Sequence, residues 1–375
     1  MTQAAQETQQ RQSYYRPQTD VSDAEKLSCF ATLDAHKSSV TSIKFSPAGG
    51  ASRFVSGSAD ATARLWDTER GAEIAAVDCG FKSERGAVAC VDVSKDGATL
   101  VTSSDDFNAR LWDTRAPHTP VQVFEGHKHV VTSCSFAPNG NTIATGSFDE
   151  TVKLWDQRMG KCDHTIAAHT QPVTCVQFSK GSVRPNLATT SIDGTCRIWS
   201  SHSRECLRTI TPLDASQGLA PVASVRFTPN NQYVLVNSLH NKILLFDPVI
   251  NSGTETPTAS TAPADATADE AVLPVLKKTY EGHLNTRISL RSVFMTRCSD
   301  GAKLVLSGSE DHHVYVWNLN SRELVGVLRG RDKGTTGGEG AQGHSDEVMG
   351  IDASDVASIV VTGSKDTTVK VWKRA

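Results

Sequence analysis

Short segments in which apolar and polar residues alternate recur along most of the chain. Val40–Phe45 and Val173–Phe178 are two of them, and each fits a β-strand that turns one face toward a core. A second pattern accompanies the first, because each tryptophan lies six residues after an aspartate. The pairs are Asp60–Trp66, Asp106–Trp112, Asp149–Trp155, Asp193–Trp199, Asp311–Trp317 and Asp366–Trp372. Together the two patterns predict an all-β chain that repeats one unit.

A further copy keeps this spacing but has His240 in place of the aspartate and Phe246 in place of the tryptophan. Five copies are preceded by a dipeptide that ends in histidine: His36, His127, His169, His283 and His344. A unit of about 40–45 residues that opens near such a histidine and closes on Trp-Asp is typical of one four-stranded propeller blade. Seven units predict a single seven-bladed β-propeller.

These repeats resemble the WD-repeat family over roughly residues 28–375. The resemblance implies that the histidine, a Ser or Thr, the turn aspartate and the tryptophan of one blade form a hydrogen-bonded chain. In the third unit these residues include His127, Asp149 and Trp155. We expect them to have a structural role and not a catalytic or metal-binding one.

The two ends of the chain indicate how the ring closes. Only three residues follow Trp372, so the last unit lacks its outermost strand. Ser28–Leu33 alternates like a strand and precedes the first unit. We expect this segment to complete the last blade and so to remove a free sheet edge.

Three segments fall outside the repeats. We expect residues 1–27 to form a disordered tail before a propeller of residues 28–375. Residues 249–273 are a low-complexity insertion, and residues 330–342 are a glycine-rich loop. This loop has neither a Gly-Lys-Ser/Thr sequence nor a helical pattern after it, so it does not fit a phosphate-binding loop.

The composition of the chain disfavours several classes of function. The 38 Lys and Arg and 41 Asp and Glu give a net charge of −3, which does not favour direct nucleic-acid binding. No segment approaches the roughly 20 apolar residues of a membrane-spanning helix. The nine cysteines are scattered without metal-ligand spacing, and the first residues hold no apolar signal stretch. We therefore expect reduced thiols and an intracellular location.

Catalytic motifs do not stand out. The chain lacks the G-x-S-x-G, H-E-x-x-H and Walker A patterns. His312 and His313 follow a turn aspartate without further ligands at zinc spacing. We expect a non-enzymatic protein with no cofactor and no metal.

Several stretches resemble one WD-repeat subfamily, the core subunit of COMPASS-type (mixed-lineage-leukaemia-type) histone lysine methyltransferases. They are Thr145–Trp155, Asp193–Trp199 and Ser307–Leu319. The resemblance implies a nuclear scaffold, with the cytoplasm as a second location, that is monomeric within a larger complex. Its implied partners are a SET-domain methyltransferase, accessory subunits and a histone tail, with no nucleic acid or membrane bound directly.

The resemblance also implies two binding surfaces. The channel mouth, which would hold an arginine of a peptide, is lined by Thr41, Ala59, Ala89, Asp105, Thr132, Phe148, Thr174, Ile192, Ala223, Arg291 and Met349. A second partner cleft is formed by Asn230, Tyr233 and Leu245. For Leu245 a place in the core remains an alternative, since an aliphatic residue before the Trp or Phe position is often buried.

Two mouth positions depart from the subfamily, which stacks the guanidinium between two phenylalanines where this chain has Thr132 and Arg291. The assignment of Arg291 depends on whether the strand around residues 288–294 carries a bulge. Each lost aromatic face removes about 0.5–2 kcal/mol of cation–π attraction, and Arg291 adds a like charge. We therefore expect arginine binding to be weaker by roughly a hundredfold or more.

Two other functions remain open. The sequences Trp112-Asp-Thr-Arg115 and Trp155-Asp-Gln-Arg158 resemble the Trp-Asp-x-Arg box of substrate receptors for cullin-4-type ubiquitin ligases. The third possibility is an RNA-processing WD-repeat scaffold, which the absence of a basic stripe makes less favourable.

Overall fold

The computed structural model describes residues 27–50, 52–80, 86–181, 185–214, 218–248, 274–298, 300–329, 343–356 and 358–374. Within these ranges the chain folds into seven four-stranded antiparallel sheets and one small hairpin. The seven-bladed, all-β prediction is confirmed. Residues 1–26, 249–273 and 330–342, which include nearly all of the predicted tail and both predicted loops, lie outside the described residues.

Each four-stranded sheet is one blade, and blades 1–6 take their strands in chain order from the channel outward. Blade 1 has β2 (Val40–Phe45), β3 (Arg53–Ser58), β4 (Thr62–Asp67) and β5 (Ala72–Asp78). Blade 2 has β6 (Val88–Val93), β7 (Thr99–Ser104), β8 (Ala109–Asp113) and β9 (Gln122–Phe124). Blade 3 has β10 (Val131–Phe136), β11 (Thr142–Ser147), β12 (Thr151–Asp156) and β13 (Cys162–Ala167). Blade 4 has β14 (Val173–Phe178), β15 (Asn186–Ser191), β16 (Cys196–Ser200) and β17 (Cys206–Ile210).

The hairpin β18 (Leu213–Asp214) and β19 (Gly218–Leu219) follows blade 4. Blade 5 has β20 (Val222–Phe227), β21 (Val234–Ser238), β22 (Lys242–Asp247) and β23 (Val275–Glu281). Blade 6 has β24 (Ser292–Thr296), β25 (Lys303–Gly308), β26 (Val314–Asn318) and β27 (Leu324–Leu328). Blade 7 has β28 (Val348–Ser354), β29 (Ile359–Ser364), β30 (Val369–Arg374) and, from the other end of the chain, β1 (Leu27–Leu33).

The blades form a closed ring. Each first strand contacts the first strands of both neighbouring blades, so the seven of them surround one channel. The apolar core is divided in the same way, because each of its seven clusters joins residues of two adjacent blades. A blade therefore buries its faces only against its neighbours, as expected for a repeat architecture.

Strand β1 closes this ring by pairing antiparallel with β30. The register joins Leu27 to Arg374 and Leu33 to Val369, with one bulge between Cys29 and Ala31. Leu33 is also buried in the cluster that blade 7 shares with blade 1. The predicted closing strand is confirmed and begins one residue earlier than predicted, at Leu27.

A hydrogen-bonded chain fixes the turn and the tryptophan in blades 1, 3, 4 and 7. In blade 3 the Trp155 indole donates to Thr145 Oγ1 at 2.8 Å, and His127 Nε2 lies 2.7 Å from the same oxygen. His127 Nδ1 lies 2.9 Å from Asp149 Oδ2, which can only accept, so Nδ1 carries the proton. Burial alone would raise the pKa of Asp149, but hydrogen bonds from His127 and Thr151 hold it well below its usual range.

Blade 6 breaks this arrangement. Tyr315 donates its hydroxyl to Asp311, and the Trp317 indole donates to the carbonyl of Glu281 instead of to a hydroxyl. Both ring nitrogens of His283 are consequently buried without a hydrogen-bond partner among the described residues, and the ring packs edge-on against Trp317. Burial lowers the pKa of His283 from 6.5 to about 4.

Removal of β1 should open the ring. A variant that begins at Asp34 loses the pairing with β30 and the burial of Leu33, whereas a control that begins at Leu27 keeps both. We expect the shorter variant to melt about 5–10 °C or more below the control in scanning calorimetry. Equal melting temperatures would show that β1 does not stabilise the ring.

Because its pKa is lowered, His283 should make stability depend on pH. The unfolded chain binds a proton at this histidine below pH 6.5 and the folded chain only near pH 4, so stability is highest at neutral pH and falls across this window. The loss attributable to this site is about 3 kcal/mol, since each pKa unit corresponds to about 1.4 kcal/mol.

The substitution His283→Leu should flatten this dependence and leave stability at pH 7 unchanged or slightly higher, because the ring has no hydrogen bond to lose. The matched control His127→Leu breaks two hydrogen bonds and should destabilise by about 2–4 kcal/mol at pH 7. Denaturant unfolding from pH 4 to 7 measures both effects. An unchanged slope in His283→Leu would refute the assignment.

Candidate functional site

One end of the channel is rimmed by the turns between the second and third strands of the blades. The residue before each turn aspartate, or its equivalent, donates its N–H to a carbonyl of the loop that leads into the same blade. This bond recurs in all seven blades, at Ala59, Asp105, Phe148, Ile192, Leu239, Glu310 and Lys365. The predicted mouth residues Ala59, Asp105, Phe148 and Ile192 therefore occupy equivalent rim positions.

The other predicted mouth residues lie on the channel strands. In six blades the first strand carries a β-bulge, and the bulged residue is the predicted one: Thr41, Ala89, Thr132, Thr174, Ala223 and Met349. A bulge re-aims one side chain relative to its neighbours. Ala223 is buried, whereas the other five are half-buried.

Three of these bulges have a structural function that sequence reasoning missed. The Thr41 hydroxyl donates to the carbonyl of Val88 at 2.6 Å, and the Thr132 hydroxyl to that of Val173 at 2.7 Å. Thr174 repeats the contact with Val222 at 2.6 Å. Each hydroxyl therefore ties its blade to the next one and has less capacity to bind a ligand.

Arg291 is placed differently from the other mouth residues. Pairing in blade 6 begins at Ser292, and β24 shows no register shift, so Arg291 lies just before the strand. Its side chain lines a channel cavity together with Lys44, Asp92 and Cys134, which come from three other blades. Burial would lower the pKa of Arg291, but the sulfurs of Cys90 and Cys175 raise it above its usual range. Arg291 thus puts a positive charge inside the channel.

The rim is chemically uneven, and an aromatic row marks one side of it. The His129 ring lies 5.6 Å from the ring of Phe107 and 5.6 Å from that of Phe148, measured between centroids. Phe148 and Ile192 of the next blade are 40% and 41% exposed. Phe107 and His129 were not predicted, because neither occupies a repeat-defined mouth position. The unusual phenylalanine in a turn position with positive φ (72°) was the available signal.

Charged residues occupy three further rim positions, Asp105, Glu310 and Lys365, and apolar residues occupy the other two, Ala59 and Leu239. Asp105 Oδ1 is buried and has no hydrogen-bond partner among the described residues. Across the ring, Glu310 accepts the N–H groups of Thr286, Arg287 and Ile288. Arg287 also reaches Glu347, so blades 6 and 7 present paired charges. The aromatic row, flanked by Asp105, is the part of the rim with unused binding capacity.

The second predicted cleft belongs to the opposite face, because turns between first and second strands alternate with the rim turns. Asn230 is exposed in the turn between β20 and β21, where it accepts a hydrogen bond from Thr228 Oγ1 at 2.7 Å. Tyr233 is half-buried and packs against the cluster between blades 5 and 6. The side chain of Leu245 is 3% exposed and lies inside that cluster. Leu245 is therefore a core residue, which is the alternative that the sequence left open.

Other site chemistry is limited in the part of the chain that the structure describes. It holds no group of three or more His, Cys, Asp or Glu side chains arranged for a metal ion. No helix there is long and apolar enough to cross a bilayer. The nine cysteines are all free thiols.

The fold and the rim define a WD-repeat propeller scaffold. The sequence matches the family described as the WDR5 beta-propeller domain over residues 32–373, and the chain belongs to this family. Propellers of this family are in general non-enzymatic scaffolds.

Several curated proteins are similar to this chain. It is 29% identical to COMPASS component SWD3 of Saccharomyces cerevisiae, over 63% of this chain and 69% of that protein. It is 34% identical to nuclear distribution protein PAC1 of Ajellomyces capsulatus, over 52% of this chain and 45% of that protein. It is 31% identical to pre-mRNA-processing factor 19 of Oryza sativa subsp. japonica, over 56% of this chain and 39% of that protein. The chain thus spans less than half of the last two relatives.

Proposed function

We propose that this chain is a non-enzymatic subunit of a COMPASS-type histone lysine methyltransferase complex. The family match and the similarity to a yeast COMPASS component support this assignment. The structural observation that carries it is the row of Phe107, His129 and Phe148, in which His129 and Phe148 are exposed, on a rim whose turns are fixed by repeated backbone hydrogen bonds. The proposed partners are a SET-domain methyltransferase, its accessory subunits and a histone tail, and the proposed location is the nucleus, with the cytoplasm second.

The rim is suited to holding an extended partner segment. Aromatic side chains supply much of the binding energy of protein interfaces, and rim groups fixed in advance lose little entropy on binding. Phe148 and Ile192 offer apolar contact, and the half-buried Asp105 supplies a negative charge beside them. A partner segment with one apolar and one basic side chain fits this combination.

The channel itself is poorly suited to an arginine inserted by a partner. The hydroxyl of Thr132 is used within the ring, and Arg291 already places a guanidinium in the channel. An incoming arginine would therefore meet a like charge and lack two aromatic faces. The partner's basic group is better placed outside the channel, near Asp105.

The second partner surface is the turn that contains Asn230 and Tyr233. Asn230 is exposed, and the side chain of Tyr233 is only half-buried, so both can contact another subunit. Because this turn lies on the face opposite the rim, two partners can bind at the same time. That arrangement is what a scaffold requires.

A ubiquitin-ligase receptor is the main alternative. The Arg115 side chain is 81% exposed and is held by Asp113, so the Trp-Asp-x-Arg box is available on the surface. The similarity to pre-mRNA-processing factor 19 supports the third possibility, an RNA-processing scaffold.

Affinity purification of the full chain separates these functions. Recovery of a SET-domain methyltransferase supports the proposal. Recovery of a cullin-4 adaptor that is lost in the variants Arg115→Ala and Arg158→Ala would replace it, as would co-purified RNA that survives high salt.

Replacement of Phe148 by alanine should weaken methyltransferase binding about tenfold or more, because it removes an exposed ring from the aromatic row. The matched control is Phe30→Ala, which removes an even more exposed phenylalanine from the outer strand β1. Calorimetric titration with the purified methyltransferase measures both. Equal affinities for the two variants would exclude the aromatic row as the binding surface.

Replacement of Tyr233 by alanine should weaken association with an accessory subunit while lowering the melting temperature only slightly, because the ring is half-buried. Asn230→Ala, which leaves the cluster between blades 5 and 6 intact, should weaken the same association. A large loss of thermal stability in Tyr233→Ala, with association retained in Asn230→Ala, would show that Tyr233 has a purely structural role.

A further inference from the structure

The channel wall contains thiols that the proposed scaffold function does not use. Cys90, Cys134 and Cys175 lie on the first strands of blades 2, 3 and 4, and Arg291 extends toward them from blade 6. The exposed cysteines Cys162, Cys206 and Cys298 lie on other parts of the molecule.

Cys90 and Cys134 face each other across the interface between blades 2 and 3. The Cys90 thiol donates to the carbonyl of Cys134, and the Cys134 thiol donates to the carbonyl of Cys90, each over 3.6 Å. Both side chains are buried, at 1% and 3% exposure, in the cluster that joins the two blades. This reciprocal contact brings each sulfur to the backbone of the other cysteine, and the Cys134 side chain also hydrogen-bonds to that of Cys90.

The surroundings distinguish the two sulfurs electrostatically. Hydrogen bonding from Cys134 and the charge of Arg291 lower the pKa of the Cys90 thiol, against the effect of burial. Burial raises the pKa of the Cys134 thiol, and its contact with Cys90 adds to the increase. A neighbouring guanidinium favours the thiolate, which is the form of cysteine that reacts.

A small molecule has room beside Cys134 and beside Arg291, whose side chain contacts the Cys90 sulfur. Cys134, Cys175 and Arg291 line the channel cavity, whose volume is about 30 Å³. That volume holds one molecule of about the size of water. Hydrogen peroxide is only slightly larger than water, whereas glutathione is far too large.

We propose that Cys90 and Cys134 are an oxidative modification site, at which hydrogen peroxide converts the two thiols into a disulfide between blades 2 and 3. The Cys90 thiolate attacks one peroxide oxygen, the O–O bond breaks, and hydroxide leaves as water after taking up a proton. Cys90 is oxidised to the sulfenic acid. The Cys134 sulfur then attacks the Cys90 sulfur and displaces hydroxide, which takes the Cys134 proton to form a second water.

The new bond would fix the two channel strands next to Ala89 and Thr132, which are mouth positions. In a reducing compartment such a disulfide is transient, which is typical of redox-sensing pairs. Oxidation would thus link the redox state of the cell to the rigidity of the rim.

The test is peroxide treatment of the full-length protein, followed by alkylation and peptide mass spectrometry under non-reducing conditions. We expect a peptide pair linked through Cys90 and Cys134, formed faster than any link involving the exposed cysteines. In Cys134→Ser, peroxide treatment followed by denaturation in the presence of dimedone should label a sulfenic acid at Cys90, because the native cavity is too small to admit dimedone. Replacement of Arg291 by methionine should slow the reaction about tenfold.

Cys175→Ser is the matched control, since Cys175 also lines the cavity but is separated from Cys90 by Ser133, whose hydroxyl contacts both sulfurs at 4.0 and 3.9 Å. This variant should form the link at the normal rate. Absence of the linked pair in the native protein would overturn the proposal, as would dimedone labelling confined to exposed cysteines. Circular dichroism of each variant establishes that the propeller is folded.

Discussion

The pairing of the two chain ends is the constraint on which the rest of the structure depends. Each apolar cluster belongs to an interface between two blades, so every blade relies on both neighbours to bury its faces. Strand β1 joins blade 7 by pairing with β30, and Leu33 completes the cluster shared with blade 1. The channel, the rim and the relative position of the two proposed binding faces all follow from this closure.

Repeated turns form the rim, and residues that differ between the repeats determine its charge and polarity. The same backbone hydrogen bond fixes the residue before each turn aspartate or its equivalent in all seven blades. Those residues differ in type, so one side of the rim is aromatic and apolar whereas blades 6 and 7 carry paired charges. A scaffold of this kind can gain or lose a partner by substitutions in short turns without change to the ring.

The fold was predictable from sequence because a local hydrogen-bonded chain sets the spacing. Asp149 and Trp155 are bridged through His127 and Thr145, so their separation cannot vary without breaking the bonds. The mouth was predictable only in part. Repeat position located the bulged threonines, but not their bonds to the next blade. The row through His129 and the contacts of Arg291 with the cysteines of other blades depend on packing between blades, which spacing does not encode.

The boundary between blades 5 and 6 differs from the other boundaries in how its polar groups are satisfied. Blade 5 has His240 and Phe246 where the other blades have Asp and Trp, and blade 6 leaves His283 unbonded. A side-chain amide ladder, in which Asn285 donates to Asn237 Oδ1, replaces the missing chain there. Partial unfolding of the ring should begin at this boundary. The backbone amide protons of blades 5 and 6 should therefore exchange with solvent before those of the other blades. A subunit that docks on the turn holding Asn230 and Tyr233 would then stabilise this boundary, because Tyr233 packs against the cluster between blades 5 and 6.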